Sequence, residues 1–296
     1  NGRNGRRYGR RRNGLPTTTT ISTTTTVHGR NGRNGNDSTT ATTATTNTLD
    51  LWLFCFVLLL SLFSCFSPIM SWRCSGKTNA ELIANLKNAS IIKSPQVEEA
   101  MLRVDRKNYV RDLSDKEAYR DSPQPIGHSV TISAPHMHAM CLEYMVDYLQ
   151  PGMSALDCGS GSGYLAACMK HMVGEEGKVV GIEYVKELVP WSIENCKKDG
   201  FEAEPPGLTL LGGDASNGYQ GMKFNAIHVG AAAPKIPQPL VDALTSPGVM
   251  LLPLGTYYQN LVMVRKSKTG EITTKELCGV SYVPFHMEGT SAYEEL

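Results

Sequence analysis

Residues 155–164 read A-L-D-C-G-S-G-S-G-Y: a short apolar run ending near the acid Asp157, a turn in which glycine alternates with serine, and a return of apolar residues. The apolar run predicts a buried strand and the turn predicts a helix start beyond it, the strand–turn–helix unit of an open α/β sheet. Ligands of such sheets bind outside the carboxyl ends of the strands, where glycine lets backbone approach a ligand closely. A dinucleotide fingerprint spaces its glycines G-x-G-x-x-G, whereas Gly159, Gly161 and Gly163 follow G-x-G-x-G. The spacing favours S-adenosyl-L-methionine over a nicotinamide dinucleotide, with Asp157, Gly159, Ser160, Gly161, Ser162 and Gly163 as the candidate cofactor turn. A glycine run alone is equally the material of an ordinary surface turn, so its neighbours decide.

Two of those neighbours repeat the pattern. Residues 178–184 (K-V-V-G-I-E-Y) predict a second buried strand ending in an acid about twenty positions past the turn, which makes Glu183 the expected acceptor for ribose hydroxyls. Residues 208–214 (L-T-L-L-G-G-D) predict a third, with Asp214 as acceptor for the exocyclic amine of adenine. Taken singly, each acid also reads as a solvated loop carboxylate or a helix N-terminal charge.

The chain has 296 residues and a formal net charge of +1. That balance hides an asymmetry, because residues 1–48 carry eight arginines and one acid, Asp37. They are otherwise almost wholly Asn, Gly, Thr and Ser, with too little apolar surface to bury, so this tail is expected to be disordered. An arginine-rich tail without interleaved aromatic residues is a poor nucleic-acid site, and no nucleic-acid partner is expected. Residues 49–69 are largely apolar, and two readings stand for them. One is a marginal membrane anchor or signal segment; Arg73, Lys77 and Lys87 beyond it then leave the following domain on the cytosolic side. The other is a leader upstream of a natural start at Met70. Membrane contact is expected only under the first. Residues 70–296 are expected to form one catalytic domain, large enough for its own core.

Within that domain Thr78 and Glu81 form a T-x-x-E capping box, and Ser94-Pro95 pairs an N-cap with proline at the first helical position. After the three strands above, further strands are expected at 224–230, 248–255, 261–266 and roughly 277–284, seven in all. With helices between most of them, they make a doubly wound, Rossmann-like α/β sheet preceded by helices. None of the eight cysteines shows metal-ligand spacing, and their placement suits free thiols in a reducing, cytoplasmic compartment. His136 and His138, two apart near a helix start, point to different faces, so no shared metal is expected.

Residues 122–139 (S-P-Q-P-I-G-H-S-V-T-I-S-A-P-H-M-H-A) read as a polar loop running into a helix near His136, a substrate lip beside the cofactor cleft. Here the chain resembles the protein-L-isoaspartate (D-aspartate) O-methyltransferases. The resemblance rests on T-I-S-A-P-H-M-H-A (131–139), A-L-D-C-G-S-G-S-G (155–163), K-E-L-V (186–189) and A-I-H-V-G-A-A-A-P (226–234), and covers essentially residues 70–284.

The resemblance implies an enzyme that methylates the α-carboxyl of L-isoaspartyl residues in damaged proteins, acting as a monomer. It places Ser133 as the active-site serine, and Val130, Thr131, Ile132, Ser133 and His138 along cofactor and substrate. It implies further cofactor contacts from Ser162, Glu183 with Tyr184, Asp214 with Ala215, and, where the C-terminal stretch diverges, His286 and Ser291. Val229, Gly230 and Ala231 are expected on the substrate side, their small side chains leaving backbone open to an extended peptide. A carboxylate is ionised at neutral pH, so the implied reaction needs no general base. Rival readings are a small-molecule or RNA methyltransferase on the same sheet, and a membrane-tethered binding module without turnover.

Overall fold

The glycine turn lies at the end of an inner strand of a sheet. The computed structural model describes residues 74–285 apart from positions 204 and 206. The expected disordered tail, the apolar segment, the start at Met70 and the contacts of His286 and Ser291 lie outside the described residues. Among those described, seven strands form one sheet: β3 (Ser154–Cys158), β4 (Lys178–Glu183), β5 (Leu208–Gly212), β6 (Phe224–Val229), β7 (Leu244–Leu254), β8 (Gln259–Lys266) and β9 (Ile272–Val280). Their spatial order is β5-β4-β3-β6-β7-β8-β9. The first five are parallel, while β8 and β9 run antiparallel to their neighbours. The winding reverses between β3 and β6, so the crevice that receives ligands opens at the carboxyl ends of these two strands.

Parallel strands covered on both faces must be apolar nearly throughout, and they are. Leu156, Val180, Ile182, Ile227 and Val229 face one apolar cluster. Ala155, Val179, Leu208 and Ala226 face the other, as the two-residue period of a strand requires. The second cluster is closed by helices α1 (Asn79–Asn88), α2 (Pro95–Arg103), α4 (Pro135–Met145) and α5 (Tyr164–Val173). Beyond them lie a short α3 (Asp115–Ala118), α6 (Val189–Lys198) after β4, and α7 (Gln238–Asp242) after β6.

The two helix starts differ in detail from the sequence reading. At α1, Thr78 Oγ1 accepts from the Glu81 amide at 3.2 Å, but the Glu81 carboxylate accepts from the Lys77 amide at 2.8 Å rather than from that of Thr78. Half of the capping box forms, and its other half closes one residue earlier. At α2, Ser94 gives no cap bond. Its hydroxyl and amide both donate at 2.8 Å to Glu143 of α4, which also accepts from the Lys93 amide at 2.8 Å. This carboxylate holds the start of α2 against the helix that follows Ser133.

The segment read as a loop carries a two-stranded antiparallel ribbon, β1 (Gln124–Gly127) and β2 (Val130–Ile132). Its turn places His128 at φ 52° and Ser129 at φ 58°. Two consecutive left-handed residues suit a tight hairpin, but asparagine and glycine are the usual occupants, so nothing in the sequence announced the turn. Strand ends also shift. β7 starts at Leu244, four residues before the expected Gly248, because T-S-P-G imitates a turn; the ladder skips there, from Phe224↔Leu244 to Ala226↔Val249. β9 spans Ile272–Val280 rather than 277–284, and its polar first half is solvent-exposed, as befits a sheet edge.

Candidate active site

At the switch between β3 and β6 the two strand-end loops approach backbone to backbone. A Cβ added at Gly230 would lie 2.9 Å from the Gly159 carbonyl oxygen, and Gly159 itself has φ +80°, so this seam tolerates glycine on both sides. Above it opens a cavity of about 480 Å³. One wall comes from the sheet: Gly159 and Gly161 of the turn, Glu183 and Tyr184 after β4, and Asp214 and Ala215 after β5. The other wall comes from Val130, Thr131 and Ser133 at the end of the ribbon and from Gly230 and Ala231 after β6, meeting the first at the seam.

Glu183 is buried and already oriented. Its Oε2 accepts from the Gly161 amide at 2.7 Å and its Oε1 from the Val185 amide at 2.9 Å. Burial pushes its carboxyl up from the ordinary range, and these backbone donors offset part of the rise. The lone pairs that the backbone donors leave free can accept a hydroxyl in the cavity. Asp214 accepts from the Ser216 amide at 2.8 Å through Oδ1, capping the single turn Ala215–Asn217.

A smaller polar cavity of about 40 Å³ lies beside the seam, lined in part by Ile132, His138, Asp157, Ser160 and Ser162. Thr131, Ser133, Gly159, Gly161 and Gly230 border both spaces. Asp157 pairs at 2.8 Å with Nδ1 of His228, its neighbour on β6, instead of reaching the larger cavity. Burial alone would push the His228 imidazole down, but the hydrogen bond and charge of Asp157 outweigh it and hold the ring above the ordinary histidine range. His138 goes the other way: burial and the nearby Arg106 cation drive it far below that range, so it is neutral. Its ring lies 4.9 Å from that of Tyr164, and its Nδ1 is buried without a partner.

Of the expected site residues among those described, two line neither cavity. Gly163, at φ +85°, is the N-cap of α5, and Val229 is buried in the sheet core. Other residues went unannounced: His228, Tyr164, and a strap over residues 281–285 that supplies Ser281, Tyr282, Val283, Pro284 and Phe285 to the larger cavity. The strap falls largely within the stretch expected as the last strand, 277–284, so it read as strand. Only an acid-to-histidine match across β3 and β6, given their register, had the power to pick out His228.

The model of the protein-L-isoaspartate(D-aspartate) O-methyltransferase family matches residues 77–289. The chain belongs to this family. Among its relatives, the protein-L-isoaspartate O-methyltransferase of Triticum aestivum is 46% identical over 211 residues, covering 70% of this chain and 90% of its own. That of Caenorhabditis elegans is 43% identical over 218 residues, covering 73% and 95%. A Plasmodium falciparum protein assigned to the same methyltransferases, crystallised with S-adenosyl-L-homocysteine, superposes with a TM-score of 0.65 at 36% identity, over 71% of this chain and 98% of its own. The residues fit the cofactor this family implies. The glycine seam leaves a cradle that a Cβ would obstruct, two carboxylates face the cavity, and the orphaned Nδ1 of His138 lacks the partner a polar ligand would supply.

Among the described residues no group of three or more His, Cys, Asp or Glu is placed to hold a metal. No described helix is long and apolar enough to cross a membrane.

Proposed function

We propose that this chain transfers a methyl group from S-adenosyl-L-methionine to the free α-carboxyl of L-isoaspartyl residues in damaged proteins. The observation that carries the reading is the two-walled cavity. Strand-end acids suited to an adenosine stand on one side, and Ser133 with the small residues Gly230 and Ala231 stands on the other. When bound, S-adenosyl-L-methionine supplies an electrophilic methyl group on a sulfonium.

The protein's part is to hold and align. Glu183 accepts the ribose hydroxyls, Asp214 and Ala215 hold the adenine, and the glycine turn with Ser160, Ser162 and His138 holds the amino-acid end. Ser133 donates a hydrogen bond to the acceptor carboxylate, while Thr131, Ile132, Gly230 and Ala231 leave room for its peptide. The acceptor is already ionised at neutral pH, so no side chain has to remove a proton. Alignment of two held reactants contributes on the order of 7–11 kcal/mol in favourable cases, and a dry cavity favours a displacement that neutralises opposite charges. In this reading the enzyme is a cytoplasmic monomer without a nucleic-acid partner, touching a membrane only if residues 51–69 anchor it.

The test is transfer of labelled methyl from S-adenosyl-L-methionine to matched peptides bearing L-isoaspartate or aspartate. Base-labile label on the isoaspartyl peptide alone is expected. Label on neither peptide, with S-adenosyl-L-homocysteine still bound, would refute the substrate assignment.

A further inference from the structure

The strap is held over the cavity by a side chain acting as a strand. Gln259 at the start of β8 accepts from the Tyr282 amide through Oε1 at 2.6 Å and donates from Nε2 to the Tyr282 carbonyl at 3.1 Å. The two bonds copy the exchange between paired residues of a ladder. One residue further, the Ala232 amide donates to the Val283 carbonyl and the Phe285 amide to the Ala232 carbonyl, both at 2.8 Å. Phe285 is buried in the core, and before Tyr282 the end of β9 pairs Val280 with Gln259, so the backbone is pinned on both sides of Tyr282. The Tyr282 side chain lines the cavity with Ser133 and interacts with the Ser133 hydroxyl. Burial keeps its phenol far above the ordinary range, so it remains a proton donor at every working pH.

From this arrangement, and resting on the function proposed above, we infer that Tyr282 is a second donor to the acceptor carboxylate, with Gln259 its positioning residue. A carboxylate offers two oxygens, and two neighbouring hydroxyls on the acceptor-side wall, one from the ribbon end and one from the strap, match them one to one. Each oxygen has two lone pairs, so accepting a hydrogen bond leaves one for attack on the methyl group. Held at both oxygens, the carboxylate loses free rotation about its C–C axis, and a peptide lacking the carboxyl at that position offers these hydroxyls no acceptor.

Tyr282→Phe keeps the ring and removes the donor. Its kcat/KM on the isoaspartyl peptide is expected to fall about 10- to 100-fold, the loss of one hydrogen bond to a charged group. Calorimetry should show an unchanged affinity for S-adenosyl-L-homocysteine and at least about tenfold weaker binding of the isoaspartyl peptide to that complex. Gln259→Glu retains one strap bond and Gln259→Ala neither, so peptide KM should rise in that order with kcat less affected. That gradation decides the matter should the tyrosine variant fold poorly. Unchanged kcat/KM in Tyr282→Phe overturns the inference, as does an equal loss of S-adenosyl-L-homocysteine affinity, which would place Tyr282 in the cofactor pocket. The unsubstituted protein is assayed alongside: absence of transfer to the isoaspartyl peptide there defeats the proposed function, whereas transfer there with an unaffected variant defeats only the role of Tyr282.

Discussion

The two walls of the cavity are built on different principles. The sheet-side wall is local: each acid or glycine stands within three residues of the strand that carries it, and Glu183 is held by amides 22 and 2 positions away. The acceptor-side wall is assembled from the end of a small ribbon, the loop after β6 and a strap near the end of the described chain. A local wall can be written as a motif and tuned residue by residue. A composite wall depends on tertiary contacts such as the Gln259 clamp, and it is the wall that meets the more varied partner.

Substitution on each wall should therefore fail differently. The largest effect is expected from Glu183→Ala, which removes the proposed acceptor for the ribose hydroxyls and leaves the Gly161 and Val185 amides unpaired. Two charge-assisted hydrogen bonds are worth about 3 kcal/mol or more, so calorimetric affinity for S-adenosyl-L-homocysteine should drop at least about 100-fold. Ser133→Ala should do the reverse, cutting kcat/KM about tenfold or more while that affinity stays the same. Loss of cofactor affinity in Ser133→Ala would erase the distinction between the walls. Gly230→Ala strikes the seam both walls share, setting a Cβ against the Gly159 carbonyl. Overpacking of this kind costs about 1–3 kcal/mol, so thermal unfolding should move down by several degrees and both ligands should bind less well.

The smallest effect concerns pH. His138 has a depressed folded-state pKa, so the stability it confers is present above its ordinary value of about 6.5 and is lost as pH falls below that. The limit is about 1.4 kcal/mol per pH unit. His228 has a raised one, so its contribution is complete below about 6.5 and is lost as pH rises toward its folded value. Unfolding temperatures of His138→Gln measured from pH 7 to pH 5 should decline less than those of the unsubstituted protein. A parallel decline in both would show that His138 is not buried neutral.

What was legible in the sequence follows the same division. The glycine turn, Glu183 and Asp214 were readable because an apolar run of five or six residues, a glycine and an acid form a short-range pattern. Ser133 was readable only through its surrounding motif. Tyr282 and Gln259 carried no local mark: a tyrosine in an extended segment and a glutamine at a strand start are commonplace, and their meaning comes from a pairing 23 positions apart. The β1–β2 hairpin was hidden by unusual turn residues, and the early start of β7 by a proline and glycine inside the strand. His228 reads as an ordinary strand residue until β6 is laid beside β3.

That adjacency has a consequence for how the chain acquires its activity during synthesis. The Asp157–His228 pair closes a separation of 71 residues, whereas β3, β4 and β5 are joined through successive crossovers much nearer in sequence. Closing the longer loop costs entropy before its contacts repay it, so the crevice is a late product of folding. A ribosome-bound chain that has emerged only through β5 has its glycine turn, Glu183 and the ribbon end with Ser133, but neither Gly230 and Ala231 nor the strap. Ligand binding can stabilise only the species that owns the complete site, so the nucleotide cannot template the first half of the sheet and instead secures the finished one.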